Sequence, residues 1–138
     1  MAVWKTVDSV TSLGGGSYKV TGKIYIENLG DYNAYILDIK DYVQHWDGDN
    51  WVKVADGVII GFSPGYIIPP HTTIAFDYEV IINSPTAFPL GYGNQGTVAS
   101  HYLCPPEHKW KNVVKVKLFN CCDGIHVYTD TEEFHLPE

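Results

Sequence analysis

The sequence predicts an all-β domain in which two antiparallel sheets stack face to face. Aromatic residues make up 14 % of the 138 residues and charged residues only 18 %, a composition that favours strands and differs from that of disordered chains. Apolar and polar residues alternate with period two, and Gly, Pro, Asn and Asp interrupt the alternation at short intervals. No long segment has helical periodicity, so the helical crossovers that join parallel strands are missing. Strands with one apolar face then bury it most simply between two antiparallel sheets.

The first third of the chain contains three predicted strands. Residues 3–10 form the first strand and end in a Gly-rich turn. Residues 18–28 alternate regularly, with Val20, Ile24 and Ile26 on the inward face. A turn at residues 29–31 leads into residues 34–44. On this third strand the inward side chains are predicted to be Tyr35, Leu37, Ile39 and Val43.

The remaining strands are shorter or follow stronger turn signals. Residues 63–65 (Ser-Pro-Gly) and 69–70 (Pro-Pro) are expected to frame a rigid connection, and residues 83–96 to form a loop. Residues 72–82 give the strongest alternation in the chain. The other predicted strands span residues 51–55, 58–62, 97–103, 110–119 and 125–136. The total is seven to nine strands in a single domain covering residues 1–138.

Charge and segment composition exclude several functional classes. The formal net charge is −7, and all nine basic residues are lysine. This disfavours nucleic-acid binding, because arginine supplies most bidentate contacts and the field of the protein repels phosphate. No phosphate-binding loop motif occurs, and no apolar run is long enough to span a membrane. The first residues lack a signal-peptide pattern, so we expect the chain to be a module of a larger protein.

Two segments resemble the immunoglobulin-like modules that occur in tandem in secreted and cell-surface proteins of bacteria and archaea. The first is YKVTGKIYIENLGDYNAYILDIKDYV, in which a strand ends at Asn28-Leu29-Gly30 and the next begins near Ala34. The second is PGYIIPPHTTIAFDYEVII, a Pro-led entry into a long alternating strand. The resemblance covers most of the chain, and the segment 83–109 departs from it. It implies an immunoglobulin-like antiparallel β-sandwich that acts as a spacer, adhesive or assembly module without catalysis.

The stretch His45-Trp46-Asp47-Gly48-Asp49-Asn50-Trp51 is predicted to be a hairpin tip. Asp, Gly and Asn tolerate turn conformations, and a four-residue loop commonly joins two antiparallel strands. Trp46 and Trp51 would then face each other across the hairpin. A calcium loop is disfavoured, because positions six and twelve counted from Asp47 are valine, where the loop requires Gly and a bidentate Glu. We therefore predict no metal site and no cofactor.

The same stretch provides the alternative hypothesis of a carbohydrate-binding module. Tryptophan rings can stack on the apolar faces of sugars, and neighbouring Asp and Asn side chains can bind hydroxyl groups. The candidate contact set is Trp46, Asp47, Asp49, Asn50 and Trp51. The competing interpretation is that these aromatic rings pack on the sheet. Two exposed, coplanar rings would favour sugar binding.

The three cysteines suggest a disulfide first, free buried thiols second and a metal site third. Cys104 is predicted to pair with Cys121 or Cys122, leaving one thiol free or available to another chain. Adjacent strand residues face opposite ways, which disfavours a shared metal ion at Cys121 and Cys122. A disulfide requires an oxidising compartment, consistent with a surface protein.

An enzyme is the least favoured class. Neither a nucleophile elbow nor a zinc-binding HExxH motif occurs, and we predict no catalytic residues. A small metal- or thiol-dependent enzyme that uses residues 101–108, which contain His101, Cys104 and His108, is a second alternative. The predicted function is therefore a structural, spacer or protein-interaction module in an extracellular or cell-envelope protein. Its expected partners are other protein modules or surface components, with polysaccharide as a further candidate. We expect no binding to nucleic acid and no insertion into a membrane.

Overall fold

A computed structural model describes residues 1–83 and 110–136. These residues form ten β-strands, which the sequence order numbers as follows: β1 (Ala2–Lys5), β2 (Ser9–Gly14), β3 (Ser17–Asn28), β4 (Ala34–Trp46), β5 (Trp51–Asp56), β6 (Val58–Ile60), β7 (Tyr66–Ile68), β8 (Thr72–Asn83), β9 (Trp110–Asn120) and β10 (Gly124–Phe134). No described segment is a helix of the length and hydrophobicity needed to cross a membrane. The predicted strand at residues 97–103 lies outside the described residues.

The strands form two antiparallel five-stranded sheets that pack as a sandwich, so the predicted all-β antiparallel sandwich is confirmed. The first sheet has the order β1-β3-β8-β6, and β2 pairs with the same edge of β3 as β1. The second sheet has the order β10-β9-β4-β5, and β7 also pairs with β4. The inward side chains of both sheets form one apolar core, which includes Val20, Ile24, Ile26, Ile36, Phe76, Tyr78, Val80, Trp110, Val114, Val116 and Leu118.

The strand count exceeds the predicted seven to nine for two reasons. The strand predicted at residues 3–10 is divided into β1 and β2, because residues 6–8 leave the regular ladder. They stay beside β3 through two backbone bonds, from Thr6 N–H to the Lys23 carbonyl (2.9 Å) and from Asp8 N–H to the Thr21 carbonyl (2.8 Å). In addition, β7 occupies a segment that the Pro-Pro pair had suggested was only a connection.

The inward face of β4 differs from the prediction at its first half. Tyr35 and Leu37 were expected to point inward, but Ile36 is the fully buried residue there. The register of β4 against β9 shifts between Ile36 and Asp38. A bulge adds one residue to one strand and reverses the alternation that follows it. Ile39 is therefore inward as predicted, while the residues before the bulge are out of phase with the prediction.

The first strand begins at one end of the sandwich, and the last strand ends at the other. β1 begins with Ala2 opposite Glu27, beside the turn between β3 and β4. β10 ends with Phe134 opposite Trp110, and Trp110 pairs with His45 beside the β4–β5 hairpin. β10 contains 11 residues and therefore spans about 35 Å at the usual rise of a strand. The chain thus enters the sandwich at one end and leaves it at the opposite end.

Candidate functional site

A buried polar network joins the two sheets at the centre of the sandwich. Lys5 ends β1 in the first sheet, Asp41 lies on β4 and Asn112 on β9 in the second sheet. The side chains of Lys5 and Asp41 have no exposed surface, and the Nζ–Oδ1 distance between them is 2.9 Å. Asn112 is also completely buried. Charged side chains are almost never fully buried unless they are paired, so this network is the most distinctive chemical feature of the described residues.

The carboxamide of Asn112 completes the network and has a defined orientation. Its Nδ2 donates to Asp41 Oδ2 (3.0 Å) and to the Tyr42 carbonyl (2.9 Å). Its Oδ1 accepts a hydrogen bond from Lys5 Nζ. Both atoms beside Nδ2 are acceptors and the atom beside Oδ1 is a donor, so the reversed amide would lose all three bonds. The Lys5 amine therefore lies against the carbonyl side of the Asn112 side chain.

Burial shifts the ionisation of both charged members towards their neutral forms. Desolvation lowers the pKa of Lys5 to about 8, although the neighbouring Asp41 carboxylate opposes this change. Desolvation likewise raises the pKa of Asp41, against the opposing effects of Lys5 and Asn112. In both groups loss of solvation outweighs ion pairing, as expected where water is excluded. Both shifts reduce the difference between the pKa values of Lys5 and Asp41.

Aromatic packing and a bare glycine enclose the Lys5 end of the network. Lys5 Nζ lies 3.7 Å from the centroid of the Tyr78 ring. The Tyr78 hydroxyl donates to the Thr6 carbonyl at 2.6 Å, and burial raises the pKa of Tyr78. A Cβ at Gly22 would lie 2.0 Å from the Thr6 carbonyl oxygen. Only glycine at position 22 lets the chain between β1 and β2 approach β3 this closely.

The Asp41 end of the network lies just below the surface. A Cβ at Gly57 would lie 2.5 Å from Asp41 Oδ2, and the Gly57 N–H donates to the Asp41 carbonyl at 2.7 Å. Asp41 and Gly57 also line an open cleft of about 590 Å³ together with Lys40, Lys53 and Lys115. The cleft therefore lies beside the Asp41 end of the network.

The predicted hairpin tip is present at residues 47–50. Trp46 pairs directly with Trp51, and Asp47 Oδ1 accepts the backbone N–H groups of Asp49 (2.9 Å) and Asn50 (2.8 Å). The same two bonds lower the pKa of the Asp47 carboxyl. Asp47 therefore closes the turn itself, which explains this polar sequence without a bound ion.

The two tryptophans of the tip do not form one flat surface. Their rings meet at 61° with centroids 5.5 Å apart, and both side chains are half-buried. Lys111 Nζ lies 4.2 Å from the centroid of the Trp51 ring, so part of that ring is already covered. A flat stacked pair occurs elsewhere, between Trp4 and Tyr25, whose planes differ by 10°. Sugar binding by residues 46–51 stays a prediction.

The predicted cysteine pairing involves a residue that the structure does not describe. Cys121 and Cys122 are exposed and are not in disulfides among the described residues, whereas Cys104 lies outside them. His101 and His108 also lie outside, so the alternative enzyme site at residues 101–108 stays untested. Within residues 1–83 and 110–136, no three His, Cys, Asp or Glu side chains converge in a way that could hold a metal ion.

Sequence reasoning did not single out the Lys5–Asp41–Asn112 network, although the pattern contains a signal for it. Asn112 lies in phase with the inward Val114, and Asp41 lies between two residues predicted to be inward, Ile39 and Val43. A polar residue at an inward position of a strand needs a buried partner. Searching the inward faces for such residues would have found two of the three members.

Comparison with known proteins supports the fold and leaves the function open. No protein-family model matches the chain, and no curated protein matches it. Among solved structures, a protein from Archaeoglobus fulgidus is similar with a TM-score of 0.52 and 13 % identity over 100 % of this chain and 98 % of that one. Structural genomics target SoR45 is similar with a TM-score of 0.62 and 12 % identity, over 99 % of this chain and 86 % of that one.

A third similar structure is that of a Bordetella pertussis protein described as ApaA. Its TM-score is 0.55 at 12 % identity, over 99 % of this chain and 95 % of that one. At identities this low, similarity supports a common β-sandwich architecture and carries no information on activity.

Proposed function

We propose that this chain is an immunoglobulin-like module with a structural role, which spaces or presents neighbouring modules in an extracellular or cell-envelope protein. It does not turn over an external substrate. Its partners are the modules before and after it and other surface components.

The observation that carries this proposal is the placement of the first and last strands. The chain enters beside the turn between β3 and β4 and leaves beside the β4–β5 hairpin, about 35 Å away along the sandwich. Modules with ends at opposite poles can be joined in line, because each adds its full length to the assembly. Ends on the same pole would instead produce a folded-back arrangement.

The buried network agrees with a mechanical role. β1 and β10 lie next to each other, and the Lys5 N–H donates to Asp130 Oδ2 at 2.9 Å. The Lys5 side chain is bound to both β4 and β9. The strand at the entry is therefore held to three strands of the opposite sheet. A force that pulls β1 away from the core would therefore act on these contacts.

Labelling of intact cells tests the proposed location. Antibodies against this chain should bind intact cells of the native source, and mild protease treatment of those cells should remove the signal. An antibody against a cytosolic protein serves as the control and should label only after lysis. Labelling of this chain that also requires lysis would contradict the proposal.

The carbohydrate-binding alternative has a separate test. Polysaccharide pull-down should compare the retention of the wild-type chain with that of Trp51→Ala. The variant Trp4→Ala tests the flat aromatic pair outside the hairpin. Retention that depends on Trp51 would replace the structural role with a binding role at the hairpin. Absence of retention on every polysaccharide would eliminate this alternative.

A further inference from the structure

The network places a primary amine against a carboxamide in the dry interior of the protein. We propose that Lys5 and Asn112 become joined by an intramolecular isopeptide bond between Lys5 Nζ and Asn112 Cγ, with Asp41 transferring the protons. This inference extends the mechanical role proposed above, but its chemistry depends only on the geometry of these three residues.

The nucleophile is available because burial favours the neutral amine. An ammonium ion has no lone pair, and a surface lysine is almost entirely ammonium at neutral pH. Lys5 has a pKa lowered to about 8, so its neutral form is accessible near physiological pH. Its Nζ contacts Asn112 Oδ1, the oxygen bonded to the carbon that the amine must attack.

Asp41 contacts both the nucleophile and the leaving group. Its Oδ1 lies 2.9 Å from Lys5 Nζ, and its Oδ2 accepts from Asn112 Nδ2 at 3.0 Å. One oxygen can therefore remove a proton from the attacking nitrogen, while the carboxyl group returns a proton to the departing nitrogen. A raised pKa of Asp41 suits this role, because the group must hold a proton between the two transfers.

The reaction balances without a co-reactant. A proton passes from the Lys5 ammonium to Asp41, and the neutral amine forms the Nζ–Cγ bond. Asp41 protonates Nδ2, the Cγ–Nδ2 bond breaks, and ammonia departs. The new amide nitrogen loses its extra proton to the ammonia through Asp41. One lysine ammonium and one carboxamide thus give one secondary amide and one ammonium ion, with no change of oxidation state.

The contact between Lys5 and Asn112 and their burial both favour bond formation. Holding two reacting groups in contact can correspond to effective concentrations of about 10⁵–10⁸ M when the orientation is suitable. Asn112 is completely buried, which limits competing attack by water on its carboxamide. The cleft beside Asp41 and Gly57 is the nearest solvent-filled space, and dilution of ammonia into solvent would make the bond irreversible in practice.

The bond would join two residues that are 107 positions apart. It would connect the entry strand β1 directly to β9, the neighbour of the exit strand β10. A pulling force on the two ends would then pass through Lys5 and Asn112 and bypass the strands between them. The linkage would convert a module held by non-covalent contacts into one with a covalent load path.

Mass spectrometry of the wild-type chain tests the proposal directly. The intact protein, purified folded and measured after denaturation, should weigh one ammonia less than its sequence. Proteolysis should yield a branched peptide in which Lys5 is joined to Asn112. The full sequence mass would overturn the proposal. A loss of ammonia without the branched peptide would also overturn it, because a succinimide at another asparagine produces the same mass change.

Variants provide the matched controls. Lys5→Arg keeps a cation but removes the nucleophile, and Asn112→Ala removes the electrophile, so both should have their full sequence masses. Asp41→Asn should slow bond formation by about 10²–10⁴-fold, the usual contribution of general acid–base catalysis. Lys23→Arg alters an exposed lysine that is paired with Asp77 at 2.6 Å and should still lose one ammonia.

Ammonia loss in Lys5→Arg would overturn the assignment of the nucleophile. Circular dichroism checks that each variant retains its strands. If the core variants fail to fold, the branched peptide of the wild-type chain still decides the question.

Discussion

Gly22→Ala tests the close approach that positions Lys5. An ideal Cβ at position 22 would lie 2.0 Å from the Thr6 carbonyl oxygen, whereas real Cβ contacts are essentially never below 3.0 Å. The obstructing atom belongs to the backbone, so the chain after β1 must move by at least 1 Å, the difference between these distances. This movement breaks the 2.6 Å bond from the Tyr78 hydroxyl to Thr6.

Two costs add in this variant. Overpacking a well-packed site costs about 1–3 kcal/mol, and leaving a buried hydroxyl without its acceptor costs about 1–3 kcal/mol. We therefore expect Gly22→Ala to lower the free energy of unfolding by about 2–6 kcal/mol. Urea denaturation followed by tryptophan fluorescence measures this change. The variant and the wild type must both contain, or both lack, the isopeptide bond, and their masses show which is the case.

Gly30→Ala is the matched control, because its added Cβ would meet nothing closer than Asn28 Oδ1 at 3.5 Å. Its stability should stay within about 0.5 kcal/mol of the wild type. If Gly22→Ala loses less than about 1 kcal/mol, the close approach of the Thr6 carbonyl to β3 is wrong, and so is the placement of Lys5 that depends on it.

Four further predictions concern the network, the hairpin tip and the cysteines. Relative to protein without the isopeptide bond, Lys5→Met leaves the Asp41 charge buried without its partner and should cost at least about 3–5 kcal/mol, whereas adding Asp41→Leu should recover part of this loss in urea denaturation. In protein without the isopeptide bond, the folded state binds fewer protons at Lys5 than the unfolded state, so the free energy of unfolding should rise between pH 8 and 10; fully linked protein should lack this rise. Asp47→Ala removes the acceptor that closes the turn and should cost about 1 kcal/mol by thermal denaturation, and a smaller change than about 0.3 kcal/mol would contradict that role. Thiol titration of denatured, unreduced protein should give one reactive thiol if Cys104 pairs with Cys121 or Cys122, and three would refute that pairing.

The alternation of residues predicted most of the fold because burial imposes it directly. Residues 18–28 and 72–82 were assigned nearly to their observed ends, since one face of each strand contacts the core along its whole length. The hairpin at residues 47–50 was predicted for a similar reason: Asp47 closes the turn through bonds to residues two and three positions later. Such short-range interactions are visible in a sequence.

The errors arose where contacts between distant residues decide the structure. The bulge between Ile36 and Asp38 reverses the alternation on β4, and no local signal marks it. The division of the first strand depends on Gly22 and Tyr78, which lie on two other strands. A local pattern can show that a strand exists, but the approach of a third strand determines where it is interrupted.

The candidate site could be predicted only in part, because its members become neighbours only in the fold. Asp41 and Asn112 occupy inward positions in an otherwise apolar pattern, so their need for buried partners was detectable. Lys5 is 36 residues from Asp41 and 107 from Asn112, and nothing in the local sequence connects them. The sandwich brings β1 against β4 and β9, and this packing creates the reactive arrangement.

The mass of the wild-type chain tests the role of this network most directly. If the amine of Lys5, the carboxyl of Asp41 and the carboxamide of Asn112 act together as their contacts indicate, the intact protein weighs one ammonia less than its sequence. A branched peptide then joins Lys5 to Asn112. Folded wild-type protein with its full sequence mass and only linear peptides would contradict this account.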